Sequence, residues 1–245
     1  MTVSIITIAF NSERCIGATI ESVLAQLEAP AEYWIIDGKS SDGTVDKAET
    51  YRDAFAQKGI SYHIISESDG GIYDAMNKGI RLAEGELIGI LNSGDTYQPE
   101  AVKTAVETFQ SQKCDLMFAN IRIHRIGGGS FVKKARLRKF QTSRDWNHPT
   151  TFVRARLYKE NPFRDMGIHD DYGFYLQMVR QGRKIVTVDR VLADFYLGGA
   201  SSRKSLKEAA RRIRDRYLYC YRINGYSRWY FAECVGIEAF KFLFG

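Results

Sequence analysis

Four apolar runs, each ending in a polar turn and followed by residues at helical spacing, constrain the fold more than any other feature of this chain. The runs cover residues 3–10, 33–36, 62–66 and 87–91. A strand that is apolar along its whole length is typical of a parallel sheet buried on both faces. Strands that alternate with crossover helices form right-handed βαβ units. The first half of the chain therefore predicts an α/β fold with a doubly wound, mostly parallel sheet flanked by helices.

The pattern changes in the second half of the chain. Residues 121–126 alternate apolar with polar side chains and precede three glycines, which predicts an antiparallel hairpin. Two short strands are expected at residues 185–188 and 191–196. Ser205 and Glu208 have the spacing of a capping box, which predicts the start of a long basic helix. We therefore expect an antiparallel portion followed by a helical C-terminal tail.

The formal net charge of +6 is modest, but the cations cluster in residues 133–139 and 203–216. Basic patches of this kind attract nucleic acid, anionic lipid or phosphorylated ligands. The tail at 228–244 is rich in aromatic side chains, yet it is too short and too often interrupted by charge to span a bilayer. It is expected either to make a peripheral contact with a membrane or to pack on the domain or on a second subunit, so a homodimer stays open.

Cysteine usage and the first residues indicate the compartment. Cys15, Cys114, Cys220 and Cys234 are scattered and form no Cys-x-x-Cys pair, which favours a reducing compartment and argues against a structural zinc site. Residues 2–8 lack the basic and apolar regions of a signal peptide. We therefore expect a cytoplasmic protein.

Polar side chains follow the apolar runs, and they are Asn11, Asp37, Asp42, Asp69 and Asp95. The carboxyl ends of parallel strands meet at one edge of the sheet, where open α/β sheets bind their ligands. Carboxylates gathered there repel one another unless a cation, a sugar or a base satisfies them. Taken alone, Asp95 is more typical of a turn or a helix cap than of a metal site. Neither a Gly-x-Gly-x-x-Gly nor a Walker-type loop is present, which weakens the dinucleotide and P-loop interpretations.

Four segments resemble, in order and in spacing, the motif series of the family 2 glycosyltransferases. They are residues 4–11, 36–44, 77–80 and 91–95. The resemblance implies that this chain is an inverting enzyme with the GT-A fold, which has a Rossmann-like sheet. Within that family, residues 69–79 are similar to enzymes that build bacterial surface polysaccharides.

The same resemblance implies a division of the chain. A GT-A catalytic domain would cover residues 1–204, with a nucleotide-binding half to about 115 and an acceptor half at about 116–204. Residues 205–245 would form a C-terminal basic and aromatic helical extension.

The resemblance also implies roles for the residues after the strands. Asn11, Glu13 and Asp37 would hold the base and the ribose of a sugar nucleotide, with a UDP-sugar as the expected donor. Asp69 and Lys78 would lie near the nucleotide and its phosphates. The full set expected to bind the nucleotide sugar is Asn11, Glu13, Asp37, Asp42, Asp69, Lys78, Asn92, Ser93, Gly94 and Asp95.

Asp95 matches the last acid of the Asp-x-Asp motif that holds Mg²⁺ or Mn²⁺ against the diphosphate. This chain departs from the motif, because Asn92 or Ser93 stands at the earlier acidic position. One carboxylate fewer would weaken metal binding without nucleotide, so we expect the diphosphate to supply several of the ligands.

On the acceptor side, an acidic motif at the start of a predicted helix resembles the family motif that lies below the acceptor sugar. Asp171 would be the catalytic base, with Asp170 as the second candidate, because inverting transfer needs a carboxylate to take the proton of the attacking hydroxyl. A helix start also favours an acid through the helix dipole alone. His148, Ser201 and Arg203 are expected to line the site.

The resemblance therefore implies a hexosyl- or N-acetylhexosaminyltransferase of polysaccharide biosynthesis, and we expect it to act on a glycan or polyprenyl-linked acceptor at the inner face of the cell membrane. A nucleotidyltransferase is the enzymatic alternative, but it would show a Gly-rich loop with Arg and Lys where this chain has Asn-Ser-Glu at 11–13. A nucleic-acid-binding module would explain the basic segments but not the acidic edge. We therefore expect no nucleic-acid partner.

Overall fold

The computed structural model describes residues 1–164, 166–197 and 205–244, with the backbone alone at 241–244. The strands are β1 (Val3–Ala9), β2 (Glu32–Asp37), β3 (Ser61–Ser66), β4 (Leu87–Ile90), β5 (Thr96–Tyr97), β6 (Leu116–His124), β7 (Ser130–Lys133), β8 (Phe152–Arg154) and β9 (Ile185–Tyr196). The helices are α1 (Ile16–Leu24), α2 (Thr44–Glu49), α3 (Arg52–Gln57), α4 (Ile72–Leu82), α5 (Ala101–Gln112), α6 (Ala155–Glu160), α7 (Asp170–Arg180), α8 (Leu206–Asp215) and α9 (Tyr230–Phe244). A 3-10 turn covers His148–Thr150, and a π-helical turn at Arg216–Arg222 continues α8.

The strands form one sheet in the order β3-β2-β1-β4-β8-β6-β9-β5, with β7 paired to β6. The first four strands in this order are parallel. β8 runs antiparallel to both β4 and β6, and β5 runs antiparallel to β9. The α/β class and the parallel first half are confirmed, and the second half contains the expected antiparallel pairs, β6 with β7 and β8 and β5 with β9.

A bulge in the sheet corrects one prediction in the second half. Instead of two short strands, the single strand β9 covers 185–196 and pairs in parallel with β6. The pairing passes from Ala119–Val188 to Asn120–Val191, so Asp189 and Arg190 have no partner in the register. A bulge admits extra residues while the strand continues, which is why the polar pair does not end it.

β1 is the centre of the parallel half, and all seven of its residues are buried. Ile5 belongs to the core under α1 and α5, whereas Ile6 belongs to the core under α4 and α7. Successive side chains of a strand point to opposite faces, so an unbroken apolar run serves both layers. Gly79 brings α4 close to the sheet, since a Cβ there would lie 2.5 Å from Cγ2 of Ile6.

The C-terminal tail packs on the domain through α7. Cys220 and Tyr221 of the π-helical turn are fully buried, and the Tyr221 hydroxyl lies 3.1 Å from that of Tyr172. α8 begins at Leu206 as predicted, but the Ser205 side chain makes no cap hydrogen bond, so the predicted capping box is not formed. Among the described helices, none combines the length and the apolar character needed to cross a membrane.

Glu32 is a buried carboxylate at the amino end of β2, with 7% of its surface exposed. It accepts hydrogen bonds from the Ser4 hydroxyl at 2.5 Å, the Glu84 backbone N–H at 2.6 Å and the Trp34 indole at 2.7 Å. Burial raises the pKa of Glu32, but these bonds and one from the Gly85 backbone outweigh it and hold the pKa below its usual value. The carboxylate therefore ties β1, β2 and the turn before β4 together.

We expect Glu32→Gln to lower the free energy of unfolding by about 1–3 kcal/mol at neutral pH, because the amide presents one acceptor oxygen where two are used. A depressed folded-state pKa contributes stability above the unfolded pKa of about 4.3, and that stability is lost as the pH falls through the lower folded-state pKa. Urea unfolding at about pH 7 and at about pH 3 should therefore show the difference from wild type shrinking in acid. The exposed Glu107→Gln is the matched control, and an equal loss in both variants would contradict this account.

Candidate active site

Asn11 joins the loops that follow β1 and β2. Its backbone has a φ of 47°, in the left-handed region that asparagine tolerates. Its backbone N–H donates to the Ser40 hydroxyl at 2.7 Å, and its side-chain oxygen accepts from the Ser41 N–H at 2.9 Å. The carboxyl ends of the two strands are therefore fastened to each other.

Asp37, the last residue of β2, is fully buried. It accepts from the Ser40 backbone N–H at 2.9 Å, from the Ser66 hydroxyl at 2.6 Å and from the Ser40 hydroxyl. Three of its roughly four acceptor positions are thus used within the protein. Asp37 fixes the loop after β2 and joins it to the end of β3.

Asp69 lies directly over the backbone that follows β2. A Cβ at Gly38 would stand 2.8 Å from the Asp69 carboxylate and 3.3 Å from the ring of Phe10. A side chain at 38 would therefore displace the Asp69 carboxylate from its present position. The Phe10 ring is 64% exposed at this edge, so it offers a flat apolar surface to a ligand.

Lys78 holds the loop after β3 from α4. Its ammonium group donates to the Ser68 carbonyl at 2.9 Å and forms ion pairs with Glu67 at 3.1 Å and Asp74 at 3.6 Å. The predicted contact of Lys78 with phosphate stays a prediction.

Glu13 and Asp42 hold each other's loops by a reciprocal pair of bonds. The Glu13 N–H donates to Asp42 at 3.2 Å, and the Gly43 N–H donates to Glu13 at 3.2 Å. Hydrogen bonds, first of all that from the Thr44 hydroxyl, hold the pKa of Asp42 below its usual value. The loops after β1 and β2 thus form one rigid wall.

The strand order reverses beside β1, which makes the gap between β1 and β4 the switch point where such sheets bind ligands. Ser12 and Ser93 face each other across this gap, with their hydroxyls 2.8 Å apart. Thr19 of α1 supports the turn after β4, because its hydroxyl accepts from the Gly94 N–H at 2.9 Å and donates to the Asp95 carbonyl at 2.8 Å. Gly94 has a φ of 96°, so a side chain there would be strained.

Asp95 is 6% exposed, and burial raises the pKa of its carboxyl to about 7. Its polar contact is weak, from the Tyr196 backbone N–H at 3.4 Å. In the described part of the chain, no cation lies within ion-pair distance of Asp95, and the buried side-chain oxygen of Asn92 has no hydrogen-bond partner. Two desolvated oxygen donors at one turn are suited to a cation that other ligands complete. Across 1–164, 166–197 and 205–244, no group of three or more His, Cys, Asp or Glu could hold a metal by itself.

Asp171 is held by donors from two other elements. Its Oδ1 accepts from the Tyr73 hydroxyl of α4 at 3.0 Å and from the Tyr172 N–H at 2.8 Å, while its Oδ2 lies 3.3 Å from Nδ1 of His148. Burial raises the pKa of Tyr73 well above its usual value, so the phenol stays protonated and donates. Burial lowers the pKa of His148 despite the nearby Asp171, so the imidazole is neutral near pH 7.

The neighbouring Asp170 has a different environment. It is 6% exposed, and its carboxylate accepts from the Met166 backbone N–H at 2.6 Å. This bond ties the segment before α7 to the helix start. Asp170 is therefore less suited than Asp171 to take part in chemistry.

The two groups of carboxylates lie at the same edge of the sheet. β8 is antiparallel to β4, with Phe152 opposite Gly89, so the turn at 148–151 lies beside the end of β4 that carries Asp95. His148 in this turn contacts Asp171, which brings the start of α7 to that edge.

Three supporting groups carry no signal in the sequence that predicts their role, namely Thr19, Tyr73 and the backbone of Tyr196. Tyr73 lies in a segment whose family resemblance was noted, but its partner is 98 residues away. Ser201 and Arg203 fall outside the described residues. His63 is a structural residue of the sheet, where its ring stacks on Trp34 with the ring centroids 4.0 Å apart.

Comparison with known proteins identifies the family. The model of glycosyl transferase family 2 matches residues 4–171. Rv1514c of Mycobacterium tuberculosis H37Rv, an uncharacterized glycosyltransferase, is 32% identical over 211 residues, which cover 83% of this chain and 78% of that protein. TuaG of Bacillus subtilis 168, a glycosyltransferase assigned to teichuronic acid biosynthesis, is 29% identical over 116 residues, or 47% of this chain and 45% of that protein.

Solved structures share the fold. S. aureus TarS 1–349 in complex with UDP-GlcNAc has a TM-score of 0.65 at 18% identity, covering 100% of this chain and 74% of that one. Mannosyltransferase PcManGT from Pyrobaculum calidifontis in complex with GDP-Man and Mn²⁺ has a TM-score of 0.66 at 15% identity, covering 98% and 69%. At these identities the likeness shows the fold alone.

The chain belongs to glycosyl transferase family 2. It is a glycosyltransferase with the GT-A fold, as the resemblance of its motifs implied. Neither the fold nor the comparisons support a nucleotidyltransferase or a nucleic-acid-binding module.

We expect Asp37→Asn to lower the free energy of unfolding by about 1–3 kcal/mol, because the amide cannot accept all three hydrogen bonds that order the loop after β2. Urea unfolding measures the change. Asp46→Asn, which alters an exposed carboxylate in the first turn of α2, should change stability by less than about 0.5 kcal/mol. Similar losses in the two variants would show that the buried bonds contribute little.

Proposed function

We propose that this enzyme moves a hexosyl or N-acetylhexosaminyl group from a UDP-sugar to a hydroxyl of a glycan or lipid-linked acceptor, with inversion at the anomeric carbon. The observation that carries the proposal is the position of Asp171, oriented by Tyr73 at the sheet edge that also bears Asp95. Transfer of a sugar from a nucleotide diphosphate requires a base for the acceptor hydroxyl and a group that holds the diphosphate. This edge offers a supported carboxylate for the first task and a desolvated acidic turn for the second.

The donor would lie along the loops after β1, β2 and β3 and across the turn after β4. The nucleotide-contacting residues we propose are Asn11, Glu13, Asp37, Asp42, Asp69, Lys78, Asn92, Ser93, Gly94 and Asp95. The hydrogen bonds among these loops support the proposal, because a preorganised wall loses little freedom when the nucleotide binds. The complexes of TarS with UDP and UDP-GlcNAc support a uridine nucleotide.

A divalent cation fits the turn after β4. Asp95, Asn92 and Ser93 offer only oxygen donors, as Mg²⁺ and Mn²⁺ prefer, and one carboxylate leaves most positions to phosphate and water. The complex of PcManGT with GDP-Man and Mn²⁺ supports this choice. When bound, the metal would neutralise charge on the departing diphosphate.

Asp171 would act as the base through Oδ2. Its Oδ1 is used by two donors, which leaves Oδ2 to take the proton of the acceptor hydroxyl. The acceptor oxygen then bonds to the anomeric carbon from the face opposite the diphosphate, and the bond from that carbon to the phosphate oxygen breaks. Neutral His148 would help to orient the carboxylate without competing for the proton.

We further propose that the reaction belongs to polysaccharide biosynthesis at the inner face of the cell membrane. The similarity to TuaG supports the pathway class. Residues 1–204 would form the catalytic domain, with donor and acceptor halves meeting at about 115, and residues 205–245 its helical extension.

Exchange of the two key acids should separate their roles. We expect Asp95→Asn and Asp171→Asn each to lower transfer at least about 100-fold, because one supports the leaving group and the other takes the proton. Calorimetric titration with UDP and Mn²⁺ should show weakened binding for Asp95→Asn and wild-type binding for Asp171→Asn.

Unchanged UDP affinity in Asp95→Asn would overturn the metal assignment. A panel of sugar nucleotides, assayed for hydrolysis with and without Mn²⁺, identifies the donor.

Asp170→Asn discriminates between the two acids of α7. Full loss of transfer in Asp170→Asn, with transfer activity left in Asp171→Asn, would exchange the roles of the two acids.

Tyr73→Phe should lower kcat by about 5- to 30-fold and leave the KM for the donor unchanged, because it removes one donor from Asp171 without touching the nucleotide. Tyr175→Phe is the matched control: it also removes a buried phenol bond, to Gln141 at 2.8 Å, but leaves Asp171 alone. Equal kcat values for Tyr73→Phe and wild type would show that the bond has no positioning role.

A further inference from the structure

α9 is amphipathic in the reverse of the usual sense, because its two carboxylates point into the protein. Glu238 is 4% exposed and pairs with Arg212 at 2.7 Å and Arg216 at 3.4 Å. Glu233 accepts hydrogen bonds from the hydroxyls of Thr142 at 2.6 Å and Tyr221 at 3.1 Å. A helix on a protein in water ordinarily turns its charges outward.

The outward side of the same segment is apolar. Between residues 229 and 240, every exposed residue is apolar or glycine. The large exposed side chains are Trp229 at 79%, Phe231 at 48%, Val235 at 40% and Phe240 at 50%. A contiguous apolar face of this kind marks a surface that contacts something other than water.

A basic cavity of about 350 Å³ lies beside this face. Its lining carries five cations against the single carboxylate of Asp145, and the cations are Lys133, Lys134, Arg136, Arg138 and Arg144. Asp145 is engaged by Arg138 at 3.2 Å, and Lys134 forms an ion pair with Asp189 outside the cavity at 2.5 Å, so three of the five positive charges are not neutralised by these two carboxylates. The cavity therefore has an excess of positive charge and the size to accept a phosphate group.

Direct contacts join the cavity to the helix. The Arg144 guanidinium lies 4.5 Å from the centroid of the Phe240 ring, and Phe140 stacks on Tyr230 with centroids 4.4 Å apart. The exposed side of 229–240 and the five cations therefore form one surface, which we call the α9 surface.

We propose that the α9 surface binds an anionic phospholipid bilayer, with the aromatic side chains in the interface and a lipid phosphate in the basic cavity. Apolar side chains bordered by cations match the two layers of such a membrane, its acyl boundary and its phosphates. A second copy of this chain is disfavoured as the occupant, because a two-fold interface would bring the two basic cavities together. Nucleic acid would satisfy the cations but leave the aromatic face in water.

This inference rests on the proposed function for the membrane face, and it adds the surface that makes the contact, which requires neither donor nor acceptor. The α9 surface lies on the acceptor side of the fold, where Gln141, between two of its cations, accepts from Tyr175 of α7 at 2.8 Å. A lipid-linked acceptor in the bound membrane would thus lie on the same side of the protein as the acceptor half.

Flotation of the full chain with vesicles tests the proposal. We expect binding to phosphatidylglycerol–phosphatidylcholine vesicles and much weaker binding to phosphatidylcholine alone. Arg136→Gln with Arg144→Gln should weaken binding to the anionic vesicles about 25-fold, at roughly fivefold per charge. Trp229→Ser with Phe231→Ser should weaken it at least about tenfold.

Matched controls keep the test specific. Leu27→Ser changes another exposed apolar residue, 71% exposed, and Arg81→Gln with Lys103→Gln removes two exposed cations on other helices. Both controls should bind as wild type does. Brominated lipids should quench the tryptophan emission of the wild type, and Trp229→Phe should lose the part of that quenching that comes from Trp229.

Equal binding of the paired variants and their controls would overturn the proposal. So would the absence of vesicle binding together with a dimer, seen by light scattering, that Trp229→Ser with Phe231→Ser converts to monomer. UDP binding measured on the same samples separates this inference from the proposed function, because the vesicle variants should retain it.

Discussion

The parallel pairing of β1 with both β2 and β4 is the constraint on which the rest of the structure depends. β1 is buried on both faces, so it must have a partner on each side and a layer of helices above and below. β2 and β3 lie on one side of β1 and β4 lies on the other, so the strand order reverses at β1 and the loops after β1 and β4 come together. The contact between Ser12 and Ser93 is the local result, and Thr19 of α1 holds the turn that carries Asp95.

The carboxylates at this edge differ in environment more than in position. Asp37 is as buried as Asp95, but three hydrogen bonds stabilise its charge, so it serves as part of the framework. Asp95 is desolvated with one weak donor, and its pKa rises accordingly to about 7. Asp171 lies between these cases, with one oxygen supported and the other directed toward His148. Burial without compensation marks the side chain that awaits a ligand.

The antiparallel half contributes by bringing distant segments to the edge that the parallel half creates. β8 runs against β4, and this reversal places His148 beside the end of β4 rather than at the opposite edge. α7 then starts where Tyr73 and His148 can reach Asp171. The tail covers the far side of α7, where Tyr221 contacts Tyr172, and the acidic residues of α9 pair with Arg212 and Tyr221 of the tail itself.

The sequence by itself determined the parallel half, because apolar runs and helical spacing are local patterns that report burial directly. It also determined the family through motifs at strand ends, and it located the acid that begins α7. Only the tertiary structure decided that β9 is one strand with a bulge, that Tyr73 supports Asp171, and that Glu233 and Glu238 point inward. These outcomes depend on pairing and packing between residues far apart in the chain, whose free energies no local pattern encodes.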